Sequence, residues 1–307
     1  MGILRHIYNK NFFTRGTECI GFDKVFFERY PNLMHEEFSC ASDKGDLIKG
    51  FVFMPEKPKA LIVWTNGFAK NSEDNFSLAK YFCDEGFAVL LFDGIGIGFS
   101  EGEKMYGLPQ HILDMKAVLE TVKRDQKLSA LPLLLFGHSW GGFAAATAAD
   151  FGDFPIRGIL LCAPFNSIAD AVLPVAVHRY GNAIKLLVPK LEKMQIKLFS
   201  EKQVLASAAD TLAKLDCPVR VYHSTDDVVV LFDSNFTKIK KALAGKANAS
   251  MIELHGRNHN LMTPPDIDRE KRACAKNGQN ERLTELMFTV DEDLAKEFTE
   301  FFNSCLE

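Results

Sequence analysis

Residues 132–143, Pro-Leu-Leu-Leu-Phe-Gly-His-Ser-Trp-Gly-Gly-Phe, contain the local pattern that best predicts the fold of this chain. The apolar run Leu133–Phe136 is typical of a buried β-strand, and the small residues that follow the stretch are typical of a helix. Between them lies a Gly-x-Ser-x-Gly turn, which would lift the Ser139 hydroxyl above the end of a sheet. The flanking glycines, Gly137 and Gly141, indicate a turn too tight for larger side chains.

Short apolar runs recur along the chain and alternate with segments of helical periodicity. Because these runs are apolar on both faces, they predict an α/β fold with a mostly parallel central sheet and helices on both sides. Residues 36–43 and 47–54 instead alternate in polarity around a turn and predict an N-terminal antiparallel hairpin. The predicted buried strands are Ala60–Trp64, Ala88–Phe92, Leu133–Phe136, Gly158–Cys162, Val219–Tyr222 and Ser250–Leu254. The predicted helices are 74–85, 108–127, 140–150, 233–244 and 291–305.

Length and pattern favour one domain over residues 1–307. Residues 1–35 are aromatic and mixed in charge, and we expect them to form an ordered leader packed on the core. Residues 165–213 break the alternation of strands and helices, and we predict an inserted lid with an apolar underside above the serine. The alternative is an excursion that only packs against the sheet. Residues 261–287 are predicted to be a solvated loop with a short helix.

Composition excludes several classes of protein. The net charge of −4 and the isoelectric point near 6.1 give no reason to expect nucleic acid or an anionic membrane as a partner. Seven cysteines lie scattered without C-x-x-C pairs, as reduced thiols do. We find no secretory signal and no window approaching 18 apolar residues, so we expect a cytoplasmic protein without a transmembrane segment.

A serine hydroxyl becomes a nucleophile only when a base takes its proton and an acid orients that base. In an open α/β sheet such partners follow strands at their carboxyl ends. Two aspartates, Asp226 and Asp227, follow one predicted strand, and two histidines, His255 and His259, follow the next. With Ser139 first, the order along the chain is serine, aspartate, histidine, which is the order of hydrolase sheets.

These motifs resemble those of the α/β-hydrolase superfamily over roughly residues 45–260 and the final helix. In that superfamily the acid lies three residues after a small residue and three before a valine, as in Ser-x-x-Asp-x-x-Val at 224–230. Its histidine follows Gly-x-x, as in Gly-Arg-Asn-His at 256–259. The resemblance therefore assigns the acid to Asp227, with Asp226 as the alternative, the general base to His259 and the nucleophile to Ser139.

The resemblance also implies two backbone N–H groups that stabilise an oxyanion. One belongs to Trp140, directly after the serine, and the second to Phe68 in the turn after the strand at 60–64. This chain carries Asn66 where family members often carry histidine, which puts the geometry of that turn in question.

Other chemically capable residues have plainer interpretations. We expect His138 to be a packed and hydrogen-bonded structural residue, and we expect His223 and His255 to find hydrogen-bond partners at strand ends. His178 in the predicted lid is a candidate substrate contact. The glycine-rich run after Asp93 has G-x-G-x-G spacing, which does not fit a dinucleotide site, so we expect a structural role. No cluster has metal-ligand spacing, and we expect neither a metal nor another cofactor.

The resemblance implies a serine hydrolase that cleaves a carboxylic ester of a small molecule with an apolar acyl group. The Asn-Gly-Phe turn at 66–68 is also similar to those of bacterial acyl-transferases and thioesterases and of feruloyl esterases. Two further alternatives are a serine aminopeptidase, in which Glu192 and Glu201 are candidates to hold an amino terminus, and a non-catalytic receptor with the hydrolase fold. The oligomeric state is not predicted.

Overall fold

The computed structural model describes residues 2–307, with the side chains of residues 2–5, 7, 179 and 180 outside that description. Eight strands form one sheet in the order β1-β2-β4-β3-β5-β6-β7-β8. The strands are β1 (His35–Ala41), β2 (Leu47–Phe53), β3 (Ala60–Thr65), β4 (Phe87–Asp93), β5 (Leu133–His138), β6 (Ile156–Cys162), β7 (Val219–Ser224) and β8 (Ala249–Leu254).

Helices connect the strands and cover the sheet. They are α1 (Gly2–Phe12), α2 (Phe22–Arg29), α3 (Phe76–Asp84), α4 (Gln110–Arg124), α5 (Trp140–Thr147), α6 (Ile168–Tyr180), α7 (Val188–Ile196), α8 (Glu201–Val204), α9 (Ala208–Leu212), α10 (Phe236–Ala242), α11 (Pro265–Asn277), α12 (Asn280–Met287) and α13 (Glu292–Ser304). Short 3₁₀ turns lie at Ser72–Asn75, Ala148–Phe151 and Asn182–Leu187.

The pairing of the strands confirms the predicted α/β fold. β1 pairs with β2, and β2 with β4, in antiparallel fashion, which is the predicted N-terminal hairpin and its junction with the sheet. The strands from β4 through β3 and β5 to β8 run parallel. The carboxyl ends of β3, β5, β7 and β8 therefore open at one edge, where the loops carrying the candidate residues begin.

The core forms two apolar layers, one on each face of the sheet. Within β3, Leu61 and Val63 point into the layer beneath α4 and α5, while Ile62 and Trp64 point into the opposite layer. The second layer is rich in phenylalanine from α2, α3 and α13, including Phe22, Phe26, Phe82, Phe298 and Phe302. The residues of β3 to β6 are apolar on both faces because both faces are covered.

Residues 261–287 differ from the prediction of a solvated loop with a short helix. They contain two helices, α11 of 13 residues and α12 of 8 residues. Most of their charged side chains are exposed, whereas Asp268, Cys274, Leu286 and Met287 are buried. The many charged residues made this stretch of sequence look like a solvated loop. Each helix nevertheless carries a narrow apolar stripe, and such a stripe is enough to hold a surface helix against the core.

The two segments predicted to be a lid and a leader both contain regular structure. Residues 165–213 form α6 to α9 and a 3₁₀ turn, and residues 2–35 include α1 and α2, whose Phe22 and Phe26 are buried. The lid and leader roles stay predictions. Within residues 2–307, none of the helices combines the length and the apolar character needed to cross a bilayer.

Replacing Phe298 with alanine tests the phenylalanine layer. Its ring is fully buried, 5.4 Å from the ring of Phe136 and 5.0 Å from that of Tyr222. Because a large cavity would remain, we expect Phe298→Ala to lower the free energy of unfolding by about 3–5 kcal/mol in urea titrations. Leu186→Ala is the control, since Leu186 is 79% exposed and its loss should change stability by less than about 0.5 kcal/mol. Equal losses in the two variants would contradict this description of the core.

Candidate active site

Ser139 occupies a strained turn between β5 and α5. Its backbone has φ 56° and ψ −117°, a conformation that costs a residue with a side chain on the order of 1–3 kcal/mol. A Cβ atom at Gly137 would lie 2.5 Å from the carbonyl oxygen of Gly141, and one at Gly141 would lie 2.3 Å from that of Thr65. Only glycine fits at either position, so the packing around the turn holds Ser139 at the sheet edge.

The three residues that the sequence nominated meet at this edge. Nε2 of His259 lies 2.9 Å from Oγ of Ser139, and Nδ1 of His259 lies 2.7 Å from Oδ2 of Asp227. They come from the loops after β5, β7 and β8, and the first and last of them lie 120 residues apart along the chain. The result is a continuous chain of hydrogen bonds from a buried carboxylate through an imidazole to a hydroxyl.

Asp227 is the buried end of that chain. Its Oδ1 accepts hydrogen bonds from the amides of Val229, at 2.8 Å, and Val230, at 2.9 Å. Nε2 of His223 lies 3.3 Å from Oδ2 of Asp227 and 2.8 Å from the carbonyl oxygen of Val230. Burial is the largest influence on the Asp227 pKa and raises it, but the hydrogen bonds from His223, His259 and Val229 together outweigh burial and lower the pKa. The carboxylate is therefore ionised at neutral pH and favours the His259 tautomer with a proton on Nδ1.

Asp226, the alternative acid, has different partners. Its side chain is exposed, and its Oδ1 accepts a 2.5 Å hydrogen bond from the Ser224 hydroxyl. Its Oδ2 accepts the amide of Asn258 at 3.2 Å. This carboxylate thus joins the loop after β7 to the loop that carries His259, and its oxygens bond to groups other than the imidazole.

His138 supports the backbone of the His259 loop. Its Nε2 donates to the carbonyl oxygen of His259 at 3.0 Å, and the two rings lie 4.8 Å apart. Burial first, and then the neighbouring His259, lower the pKa of His138 to about 3. His138 is therefore neutral at neutral pH and carries its proton on Nε2. The sequence indicated a packed residue here, but it contained no signal for this partner.

The turn after β3 passes directly beside Ser139. A Cβ atom at Gly67 would lie 3.2 Å from Nδ1 of His138 and 3.4 Å from Cβ of Ser139. The ring of Phe68 lies 5.2 Å from that of Trp140, which begins α5. The first amides of a helix lack partners within it and attract negative charge, so the start of α5 suits an anion beside Ser139.

A buried histidine that the sequence analysis did not single out holds the Trp140 side chain. The ring of His111 stacks on that of Trp140 at 4.2 Å, and its Nε2 lies 2.6 Å from Oγ1 of Thr65. The indole Nε1 of Trp140 donates to the carbonyl oxygen of Leu108 at 2.8 Å. An apolar helix pattern in α4 would place a histidine in the core, but only the fold shows that it lies beneath Trp140.

The remaining candidates lie outside this constellation. His178 is exposed on α6, and Nδ1 of His255 lies 2.9 Å from Oγ1 of Thr225. Asp93 is buried, accepts the amide of Phe99 at 3.0 Å, and has its pKa raised to about 7 by burial.

Within residues 2–307, no three His, Cys, Asp or Glu side chains converge where a metal ion would fit. Asn66, in the place of the family histidine, accepts a 2.7 Å hydrogen bond from Asn75 and is buried.

Comparisons with known proteins agree with the fold. A family profile described as serine aminopeptidase, S33 matches residues 56–207, slightly less than half of the chain. Human monoglyceride lipase is 34% identical over 108 residues, which make up 35% of each chain. The lysophosphatidylserine lipase ABHD12 of Danio rerio is 25% identical over 59% of this chain and 46% of its own length. The chain thus spans less than half the length of these two relatives.

The fold itself is shared more widely. A solved esterase of Pyrococcus furiosus superposes with a TM-score of 0.62 over 90% of this chain and 97% of the esterase, at 14% sequence identity. At 14% sequence identity, this structural similarity shows a shared fold and nothing about activity.

The lowered pKa of Asp227 has a consequence for stability. An unfolded aspartate titrates near 3.9, so the ionised native carboxylate stabilises the fold above that pH, and this stabilisation is lost as the pH falls toward the lower native value. Urea unfolding should therefore show the advantage of the wild-type protein over Asp227→Asn shrinking as the pH falls from about 5 to about 3. In Asp226→Asn, which removes an exposed carboxylate, the corresponding change should be smaller. An Asp227→Asn difference that does not vary with pH would contradict the assignment.

Proposed function

Because the chain belongs to the α/β-hydrolase superfamily, we propose that it is a serine hydrolase that cleaves a carboxylic ester through an acyl-enzyme. The observation that carries the proposal is the chain of hydrogen bonds from Asp227 through His259 to Ser139. A non-catalytic receptor has no need of a hydroxyl held in a strained turn within hydrogen-bond distance of an imidazole.

In the proposed mechanism, His259 Nε2 accepts the Ser139 proton while Oγ attacks the ester carbonyl carbon. Asp227 keeps the Nδ1–H tautomer and stabilises the imidazolium that forms. The oxyanion of the tetrahedral intermediate accepts hydrogen bonds from the Phe68 and Trp140 amides. The intermediate collapses when the imidazolium protonates the leaving alcohol, and water, activated by the same imidazole, then hydrolyses the acyl-enzyme.

We propose an apolar acyl group for the substrate. In the helical segment 165–213, a small cavity between α6, α7 and α8 is lined mainly by apolar side chains, among them Ile168, Leu173 and Leu191. If this segment lies above Ser139 as a lid, its apolar interior suits an acyl chain better than a charged group. The similarity to a monoglyceride lipase and a lysophosphatidylserine lipase also favours an ester of a fatty acid.

A serine aminopeptidase is the second candidate, because the matching family profile carries that description. Such an enzyme needs a carboxylate to hold the substrate's amino terminus. Glu192 borders the apolar cavity, whereas Glu201 is exposed in the first turn of α8. The apolar surroundings of Glu192 favour the ester over the peptide.

Ser139→Ala tests the proposed function. On a panel of p-nitrophenyl esters from acetate to palmitate, we expect the substitution to lower kcat by about 10⁶, since the nucleophile is lost. Ser234→Ala removes a half-buried hydroxyl that donates to the carbonyl of Leu231 and accepts from the side-chain amide of Asn235, and it should retain wild-type rates. The same panel includes a feruloyl ester, an acyl-thioester and an aminoacyl p-nitroanilide.

Four results would count against the proposal. A Ser139→Ala protein with near-wild-type activity would exclude this nucleophile. Wild-type hydrolysis of the anilide alone would favour the aminopeptidase, faster hydrolysis of the thioester than of any ester would favour a thioesterase, and no hydrolysis across the panel would favour a receptor.

A further inference from the structure

The segment of residues 14–20, here called the strap, lies across the turn that contains Phe68. The amide of Thr17 donates to the carbonyl oxygen of Ala69 at 2.8 Å, and the Thr17 hydroxyl donates to the same oxygen at 2.8 Å. The hydroxyl oxygen in turn accepts the amide of Asn71 at 3.1 Å. One threonine side chain thus links both ends of the three residues that follow Phe68.

The residue held by these bonds is strained. Ala69 has φ 59°, in the left-handed region that a residue with a Cβ atom enters at a cost of roughly 1–2 kcal/mol. Its conformation directs the chain into the turn in which the amide of Lys70 donates to the carbonyl oxygen of Gly67 at 3.1 Å, across the Gly67–Phe68 peptide that carries the Phe68 N–H. Two hydrogen bonds on the Ala69 carbonyl offset the strain, each typically contributing about 1 kcal/mol. Without these two hydrogen bonds, the strained conformation of the turn would be less stable relative to other conformations.

The strap is itself anchored to the glycine-rich loop after β4. The amide of Gly16 donates to the carbonyl oxygen of Gly96 at 2.8 Å, and the amide of Gly98 donates to that of Thr17 at 3.0 Å. The Arg15 guanidinium donates to the carbonyl oxygens of Gly98, at 3.1 Å, and Gly102. The glycine-rich loop after Asp93, for which the sequence predicted a structural role, therefore supports the strap.

The two ends of the strap are held as well. On one side, the ring of Phe12 lies 5.6 Å from that of Phe68. On the other, the buried carboxylate of Glu73 accepts the amides of Ile20, at 2.6 Å, and Asp23, at 3.1 Å. Since Glu73 lies just beyond the same turn, the strap and the turn are joined at several points along their length.

We propose that the strap sets the position of the Phe68 amide for the oxyanion, and that Thr17 is a positioning residue for catalysis. The inference rests on the proposed function, because it needs an oxyanion to form at Ser139. A displaced donor would weaken binding of the tetrahedral intermediate while leaving binding of the ester's acyl chain unchanged. The strap would then affect kcat and leave KM nearly constant.

Thr17→Val tests the inference, because valine keeps the shape and the backbone amide but removes both hydroxyl hydrogen bonds. We expect kcat on a p-nitrophenyl ester to fall about tenfold with KM within about twofold. An alkyl boronic acid forms a tetrahedral adduct with a nucleophilic serine, so its affinity should fall by the same factor as kcat/KM. Thr17→Ser restores the hydroxyl and should restore both quantities.

Thr121→Val is the matched control, since the Thr121 hydroxyl donates to the carbonyl of Ala117, four residues earlier in α4. It should leave kcat and the boronic acid affinity unchanged. If Thr17→Val does not fold, Asn71→Ala, which removes a 2.8 Å hydrogen bond to the carbonyl of Glu18, replaces it, with a smaller expected loss of kcat.

Unchanged kcat and boronic acid affinity in Thr17→Val would overturn the inference. A loss of kcat accompanied by a raised KM and a lowered melting temperature would also overturn it, because it would show a purely structural role. Failure of the proposed function is a separate result, recognised by a wild-type protein that hydrolyses no ester.

Discussion

The hydrogen bond between Asp227 and His259 is the interaction on which the rest of the site depends. A carboxylate excluded from water is unfavourable unless its oxygens are satisfied, and here two amides and two imidazoles satisfy them. The loop after β7 must fold around Asp227 to supply those groups. The loop after β8 must also reach back to place His259 against it. One buried charge thus determines the course of two loops.

The strained turn at Ser139 is the second constraint. The parallel strands bring the loops to one edge of the sheet. The positive φ angle of Ser139 then presents its hydroxyl to the imidazole of His259. The surrounding backbone comes so close that glycine is required at positions 137 and 141. Further groups then brace the His259 loop from outside, with His138 bonded to its carbonyl and Asp226 to the amide of Asn258. Rigid loops reduce the motion that would break the hydrogen-bond chain.

Much of this arrangement was predictable from local sequence. The continuous apolar runs predicted the parallel strands, and the alternating hairpin predicted β1 and β2, because burial on two faces or on one leaves a distinct pattern. Position after each strand indicated the candidates, and the family resemblance selected Ser139, Asp227 and His259, which the fold brings within hydrogen-bond distance. Their catalytic roles, the lid over the serine and the cytoplasmic location stay predictions.

The supporting contacts were not predictable. The bonds from His138 to the His259 carbonyl and from Thr17 to the Ala69 carbonyl join residues far apart in sequence, through backbone atoms that every residue carries. A sequence pattern has no signal for such a partner. The helices α11 and α12 were missed for another reason, since their charge outweighs the few apolar residues that hold them in place.

The most direct test of the central claim is the labelling of the wild-type protein by a fluorophosphonate, followed by mass spectrometry and repeated on His259→Ala. A hydroxyl activated by its imidazole should react at Ser139 with one label per chain. The His259→Ala protein, folded but without the base, should react slower by several orders of magnitude. An inert wild-type Ser139, or equal labelling in the two proteins, would contradict the account.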